Sequence, residues 1–259
     1  MSIFSAHLAR LSEQLQLDPS VLALLLAGEE GSRSGATVAE LDVIIVVSDE
    51  EFEQRLQQGR LYYKMTDCAV QNGTVTGRYI SPRYLDKVAR TGSEPARFAF
   101  MGAVIVFSRL PQLRTMINDI TEYPLHLKQA NMNRFYAQFE AWYHECKRAL
   151  LQQEHYVLHQ SIMNLLLFGG RLILAHNEML YPGYKLLVHM LEHAQRKPEQ
   201  LLQSMQAMMV TPSEVCLERL YRQIRDYRNW VDDELSWTDY VIMDNELQWL
   251  RQSVSVGDI

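Results

Sequence analysis

The apolar positions of this chain follow two different rhythms. Up to about residue 110 they come in short dense runs: "LALLLAG", "LDVIIVVS", "RLYYKM", "TVTGRYI" and "AVIVFS". Short runs rich in valine, isoleucine and aromatics, bounded by glycine, serine and asparagine, predict strands. Between them, "EEFEQRLQQ" with Asp49 as cap and "SPRYLDKVAR" with Ser81 as cap and Pro82 at the first helical position predict helices. One run stays open. "LDPSVLALLLAGEEG" reads as a strand, or as a helix capped by Asp18, because periodicity cannot separate the two over so short a stretch.

Beyond Pro111 the spacing changes to three and four. "LRTMINDITEY", "NMNRFYAQFEAWYHECKRALLQQ" and "EHYVLHQSIMNLLLFGGRLILAHN" all read as helices. Gly169-Gly170 predicts close helix contact or a bend in the third. Pro182-Gly183 and Pro198 set off "YKLLVHMLEHAQ" and "PEQLLQSMQAMM", and Thr211-Pro212-Ser213-Glu214 opens a last long helix. The pattern predicts a sheet-containing α/β or α+β unit over residues 1–110 and a helical bundle over 111–259.

Composition adds boundaries to this picture. At 259 residues, with 47% hydrophobic and 22% charged, the chain can bury a sizeable core. A net charge of −6 argues against non-specific binding to duplex nucleic acid. The N-terminal "MSIFSAHLARLSEQLQLD" lacks a signal-peptide layout, and no apolar run suggests a membrane span. Cys68, Cys146 and Cys216 are odd in number and far apart, which fits a cytoplasmic protein and neither a disulfide framework nor a zinc knuckle.

The candidate chemistry lies in "AGEEGSRSGATVAELDVIIVV". An apolar run ends at Gly28, a small-residue loop follows, and the next strand opens with Glu40 and Asp42, two residues apart and so on one face. Paired carboxylates suit a hard cation, and the amides of such a loop suit phosphate. Together with "GRLYYKM", "VTGRYI", "GSEPARFAFMGAVIVFS" and "NLLLFGGRLILAHNEMLYPGYKLL", this stretch resembles the nucleotidyltransferase superfamily with the polymerase-beta-like fold. Its small bacterial stand-alone branch, related to the aminoglycoside nucleotidyltransferases, is the nearer likeness. The resemblance implies an α+β fold, with a small mixed sheet and flanking helices followed by an all-α helical bundle. It implies a nucleoside triphosphate, ATP foremost, and Mg²⁺ as cofactors, with a nucleoside monophosphate passed to a hydroxyl of a small molecule or protein. Glu40 and Asp42 would be the catalytic, metal-holding carboxylates. Gly28, Glu29, Gly31, Ser32 and the helical-domain Lys185 would hold the triphosphate. A homodimer is compatible with the same likeness.

Two positions depart from that family's pattern. Its loop begins Gly-Ser. The family's spacing places the glycine at Gly28, twelve positions before Glu40, so that Glu29 takes the serine's place; Gly31-Ser32 supplies the literal dipeptide with a shorter loop. A third acid is expected in the strand "TVTGRYI", where Thr76 stands. A threonine can neither act as general base nor supply a carboxylate's charge. Two functions therefore stay open: an active Mg²⁺-dependent transferase, or a degenerate relative that binds nucleotide or a protein partner without turnover.

Other constellations carry less. Arg78 and Arg97 are further candidates for phosphate, although Arg97 also reads as an ion-paired helix residue in "SEPARF". "HMLEH", His189 to His193, spells the inverted zinc-hydrolase pattern, and His155 and His159 share its four-residue spacing. Both pairs read as amphipathic-helix residues, with a metal hydrolase as the third function such spacing allows.

Overall fold

The computed structural model describes residues 3–28, 40–66, 74–231, 236–247, 250 and 256. The chain divides into two compact units, Met1–Glu122 and Tyr123–Ile259. The first contains α1 (Ile3–Gln16), β1 (Val21–Leu26), β2 (Glu40–Val47), α2 (Asp49–Gln57), β3 (Tyr62–Thr66), β4 (Thr74–Ile80), α3 (Pro82–Thr91), α4 (Glu94–Phe98), β5 (Val104–Ser108) and α5 (Leu113–Thr121). The five strands form one mixed sheet in the order β3-β4-β2-β1-β5. β2 and β4 run parallel, and the other neighbours are antiparallel. The α+β architecture is the one expected.

Helices cover both faces of this sheet. On one, Ala23, Leu25, Ile44, Val46 and Ile80 pack with Leu85 and Val88 of α3 and Leu113, Ile117 and Ile120 of α5. On the other, Leu24, Val43, Ile45, Val47 and Val75 pack with Leu11 of α1. A strand buried on both faces needs no polar alternation. That is why "LALLLA" could not be told from a helix, and the structure makes it the strand β1. Asp18 does not cap a helix there. Its Oδ1 accepts from the Ser20 amide at 2.8 Å and hydroxyl at 2.7 Å, turning the chain into β1.

The helix starts follow the caps closely. Ser81 Oγ accepts from Tyr84 N at 3.2 Å, with Pro82 in the first turn. In α2 the cap is Ser48, one residue before Asp49, and Ser48 Oγ accepts from Glu51 N. Asp49 instead accepts from the Arg83 amide at 3.1 Å, where α3 begins. α5 lies beyond the composition change at Pro111, yet its leucine and isoleucines complete the core of the first unit.

The second unit is helical: a 3₁₀ turn at Leu125–Leu127, then α6 (Lys128–Gln152), α7 (His155–His176), α8 (Leu187–His193), α9 (Leu201–Val210), α10 (Glu214–Arg225) and α11 (Trp237–Val241), which runs into a π turn, Ile242–Glu246. α6 and α7 pack along their lengths. Gly169 and Gly170 of α7 provide close contact on two sides. A Cβ at 169 would lie 2.7 Å from Ile224 Cδ1 of α10, and one at 170 would lie 2.9 Å from Leu187 Cδ1 of α8. α7 is long and apolar enough to cross a membrane, which amends the expectation from the sequence. However, 67% of its apolar stretch is buried inside the bundle, as in a core helix.

Candidate functional site

The carboxylate strand enters the sheet beside the end of β1. The Ala27 amide donates to the Asp42 carbonyl at 2.9 Å, holding the last residues of β1 against the start of β2. Gly28 follows at once. A Cβ there would fall 2.2 Å from the Met101 carbonyl oxygen and about as close as 3.0 Å to Gly102, so backbone meets backbone and only glycine fits. Packing against the 101–102 turn is thus sufficient reason for this glycine, whatever the loop after it holds.

Sheet register decides what stands beside Asp42. β4 pairs with β2 so that Thr74 is opposite Glu40, Thr76 opposite Asp42 and Arg78 opposite Ile44. β3 pairs with β4 so that Lys64 is opposite Thr76 and Tyr62 opposite Arg78. Register partners share a face of a sheet. One row therefore crosses three strands as Asp42, Thr76 and Lys64. It lies on the face of Ile44, Val46 and Ile80, which α3 and α5 cover further along. Asp42 and Thr76 are half-buried and Lys64 is exposed. Gly77 draws the strands together beside this row, because a Cβ there would meet the Val43 carbonyl oxygen at 2.3 Å.

Lys64 was not among the residues expected from sequence. Its signal is weak: a lysine between Tyr63 and Met65 in a strand whose partners pack on the opposite face. Only the β3–β4 register shows that it adjoins Thr76.

The other expected residues fall in three places. Glu29, Gly31 and Ser32 lie outside the described residues. Lys185 belongs to the second unit and is exposed in the turn 184–186 ahead of α8. Arg97 is neither exposed to phosphate nor held chiefly by an acid. It is buried, and its guanidinium donates to the carbonyls of Ala89 (2.6 Å) and Gly92 (3.2 Å) at the end of α3 and of Ile120 (3.2 Å) at the end of α5. Burial pushes its pKa down, and Glu94 opposes that shift. A cation at two helix C-termini is a structural clasp.

The row lacks the third carboxylate that the family resemblance implies, since Thr76 and Lys64 stand in register with Asp42. Magnesium asks for several hard oxygen ligands and gains most from carboxylates. Here Asp42 is followed by a neutral hydroxyl and then by an ammonium. Among nucleophile candidates, Cys146 is buried and its thiol is pushed up to about 12, which leaves it unreactive at neutral pH.

The fold thus defines a mixed-sheet α+β unit joined to a helical one. No protein-family model matches the chain, and no functionally curated protein matches it. Solved structures do match, and one is a nucleotidyltransferase-like protein from Exiguobacterium sibiricum 255-15. It is 10% identical, the alignment covers 97% of this chain and 86% of that one, and the TM-score is 0.48. A likeness of that depth assigns neither an activity nor site residues.

Proposed function

We propose that the first unit is a degenerate nucleotidyltransferase-like domain that binds a nucleoside triphosphate, ATP foremost, without transferring any part of it. The observation that carries this reading is the row Asp42, Thr76, Lys64. Transfer would need a group to take the proton of the attacking hydroxyl and enough negative charge to hold metal at the phosphates. Thr76 supplies neither. Lys64 supplies the opposite charge, a compact ammonium that can neutralise phosphate oxygens directly. In this reading Lys64 takes over the neutralising part that Mg²⁺ plays in the superfamily. Glu40 and Asp42 serve as hydrogen-bond acceptors.

Calorimetric titration of the full chain with ATP, with and without Mg²⁺, tests this. Binding should be nearly the same in both, should survive Asp42→Asn and should weaken in Lys64→Ala. ATP labelled on the α-phosphate should yield no labelled acceptor and no pyrophosphate. Mg²⁺-dependent pyrophosphate release that Asp42→Asn abolishes would instead establish the active transferase. Absence of binding in both conditions would reject both readings.

A further inference from the structure

We infer that α8 carries a surface site for a divalent transition metal of the zinc class, formed by His189, Glu192 and His193. One ligand atom from each of these side chains lies within 4.8 Å of the others. Their spacing puts all three on one side of a single helical turn. The imidazole centroids of His189 and His193 are 4.6 Å apart, and His189 Nδ1 lies 3.5 Å from Glu192 Oε2.

The tautomer of one ligand is set by the backbone. His193 Nδ1 lies 2.8 Å from the His189 carbonyl oxygen. A carbonyl only accepts, so this contact places the proton on Nδ1 and leaves the lone pair on Nε2. Metal-binding histidines are typically oriented in this way by a hydrogen bond from the other ring nitrogen.

The helix that presents these groups is anchored on its opposite side. Leu187 and Leu191 are buried, with Gly170 of α7 leaving room for both. Past the helix end, Lys197 Nζ donates to the carbonyls of Glu192 (2.8 Å) and Ala194 (2.7 Å). The ligand side stays open to solvent, with the His189 side chain 26% and that of Glu192 53% exposed.

Two imidazoles and a carboxylate suit Zn²⁺, Ni²⁺ or Cu²⁺ and not Mg²⁺ or Ca²⁺. Tetrahedral zinc with bonds of about 2.1 Å brings ligand atoms to roughly 3.4 Å apart. Small rotamer changes of accessible side chains cover the remaining distance. Water would complete the coordination, and the ion would tie together residues 189 and 193 across the last turn of α8. The pair His155 and His159 on α7 is an internal control. It has the same spacing and the same contact, His159 Nδ1 to the His155 carbonyl at 2.7 Å. Among the described residues, however, no third ligand joins it in such a group.

The test is zinc titration of the full chain in competition with a coloured zinc indicator, with Co²⁺ as a spectroscopic substitute. A single equivalent of Zn²⁺ should bind, excess Mg²⁺ should not displace it, and Co²⁺ should show the intensified visible bands of a low-coordinate site. His193→Ala should abolish binding. Glu192→Gln should weaken it by more than about tenfold, since even outer-shell partners are worth that much. Zinc should raise the thermal midpoint of the parent chain and not that of His193→Ala. The double variant His155→Ala/His159→Ala should bind as the parent does, and so should Asp42→Asn, which keeps this result independent of the nucleotide reading. The site is refuted if zinc stoichiometry is unchanged in the double variant His189→Ala/His193→Ala, or if the parent chain takes up no zinc.

Discussion

The two units bury polar groups in different ways. In the sheet unit, Arg97 is satisfied by backbone carbonyls at the ends of α3 and α5. In the helical unit, the buried Glu140, Asp244 and Gln138 are met by other side chains, while Ser161 and Trp230 also use backbone carbonyls. Tyr221 donates to Glu140, Arg134 grips Asp244 through two nitrogens, and Gln138 donates to Asn245. The reason lies in the backbone. Strands are tied to each other by their own amides and carbonyls, so the ladder itself sets which residues are neighbours. Helices use up their backbone groups internally, except at the ends. Helix-to-helix specificity must then come from shape and from side-chain hydrogen bonds.

The sheet unit is most sensitive where its strands approach closest, at Gly77. Gly77→Ala would press a methyl group into the Val43 carbonyl, and neither backbone can yield without losing the β2–β4 ladder. We expect a loss of about 3 kcal/mol, the upper range for overpacking. All four tryptophans lie beyond residue 122, so tryptophan fluorescence reads the bundle. The damage should appear in hydrogen exchange of β2 and β4. A matching shift in the tryptophan transition would show that the two units do not unfold separately.

The bundle counterpart is Glu140→Ala. Glu140 accepts from the buried Tyr221 hydroxyl at 2.9 Å and also holds Tyr136. Burial, with the Glu140 hydrogen bond second, pushes Tyr221 up to about 12. Removing the shared acceptor should cost about 2 kcal/mol, read by denaturant melts followed through tryptophan fluorescence. Glu140→Gln, which keeps one acceptor oxygen, should recover part of that loss.

A smaller effect is expected at the end of the chain's helical packing. Arg134→Ala removes the guanidinium from Asp244, whose side chain is 7% exposed. About 1.5 kcal/mol should be lost, the lower end for hydrogen bonds to a charged group. The loss should be local. Amides of α11 and the π turn should exchange faster while those of α7 keep their protection.

Acid should sharpen the contrast with the least energy. His176, in the bundle, is held below its ordinary 6.5 by burial and by Arg196, Arg228 and Lys128. A histidine with a lowered folded pKa contributes stability that is complete above 6.5 and is lost as pH falls toward the folded value. Asp18, in the sheet unit, is held below 3.8 chiefly by the Ser20 hydroxyl and amide. Its contribution is present above 3.8 and disappears only as pH falls below that. The bundle should therefore begin to soften before the sheet does, each by a fraction of a kcal/mol because both groups meet solvent. Unfolding free energy followed against pH in His176→Gln and Ser20→Ala should flatten the two windows separately.

By itself, the sequence determined the type of most elements it marked out in both units, because many strands and helices announce themselves through spacing and caps. Ser81-Pro82, Ser213 and the paired glycines 169 and 170 were all readable one residue at a time. It also marked Glu40 and Asp42 as two carboxylates two residues apart in one strand. Only the tertiary structure decided that "LALLLA" is a strand, since burial on both faces erases the alternation that would identify it. Only the structure turned Arg97 from a phosphate candidate into a clasp on two helix ends. And only sheet register set Thr76 and Lys64 in a row with Asp42, although Lys64 is twelve residues from Thr76 and twenty-two from Asp42 in the chain. Register is a property of paired backbones, and a single sequence does not say which strands pair.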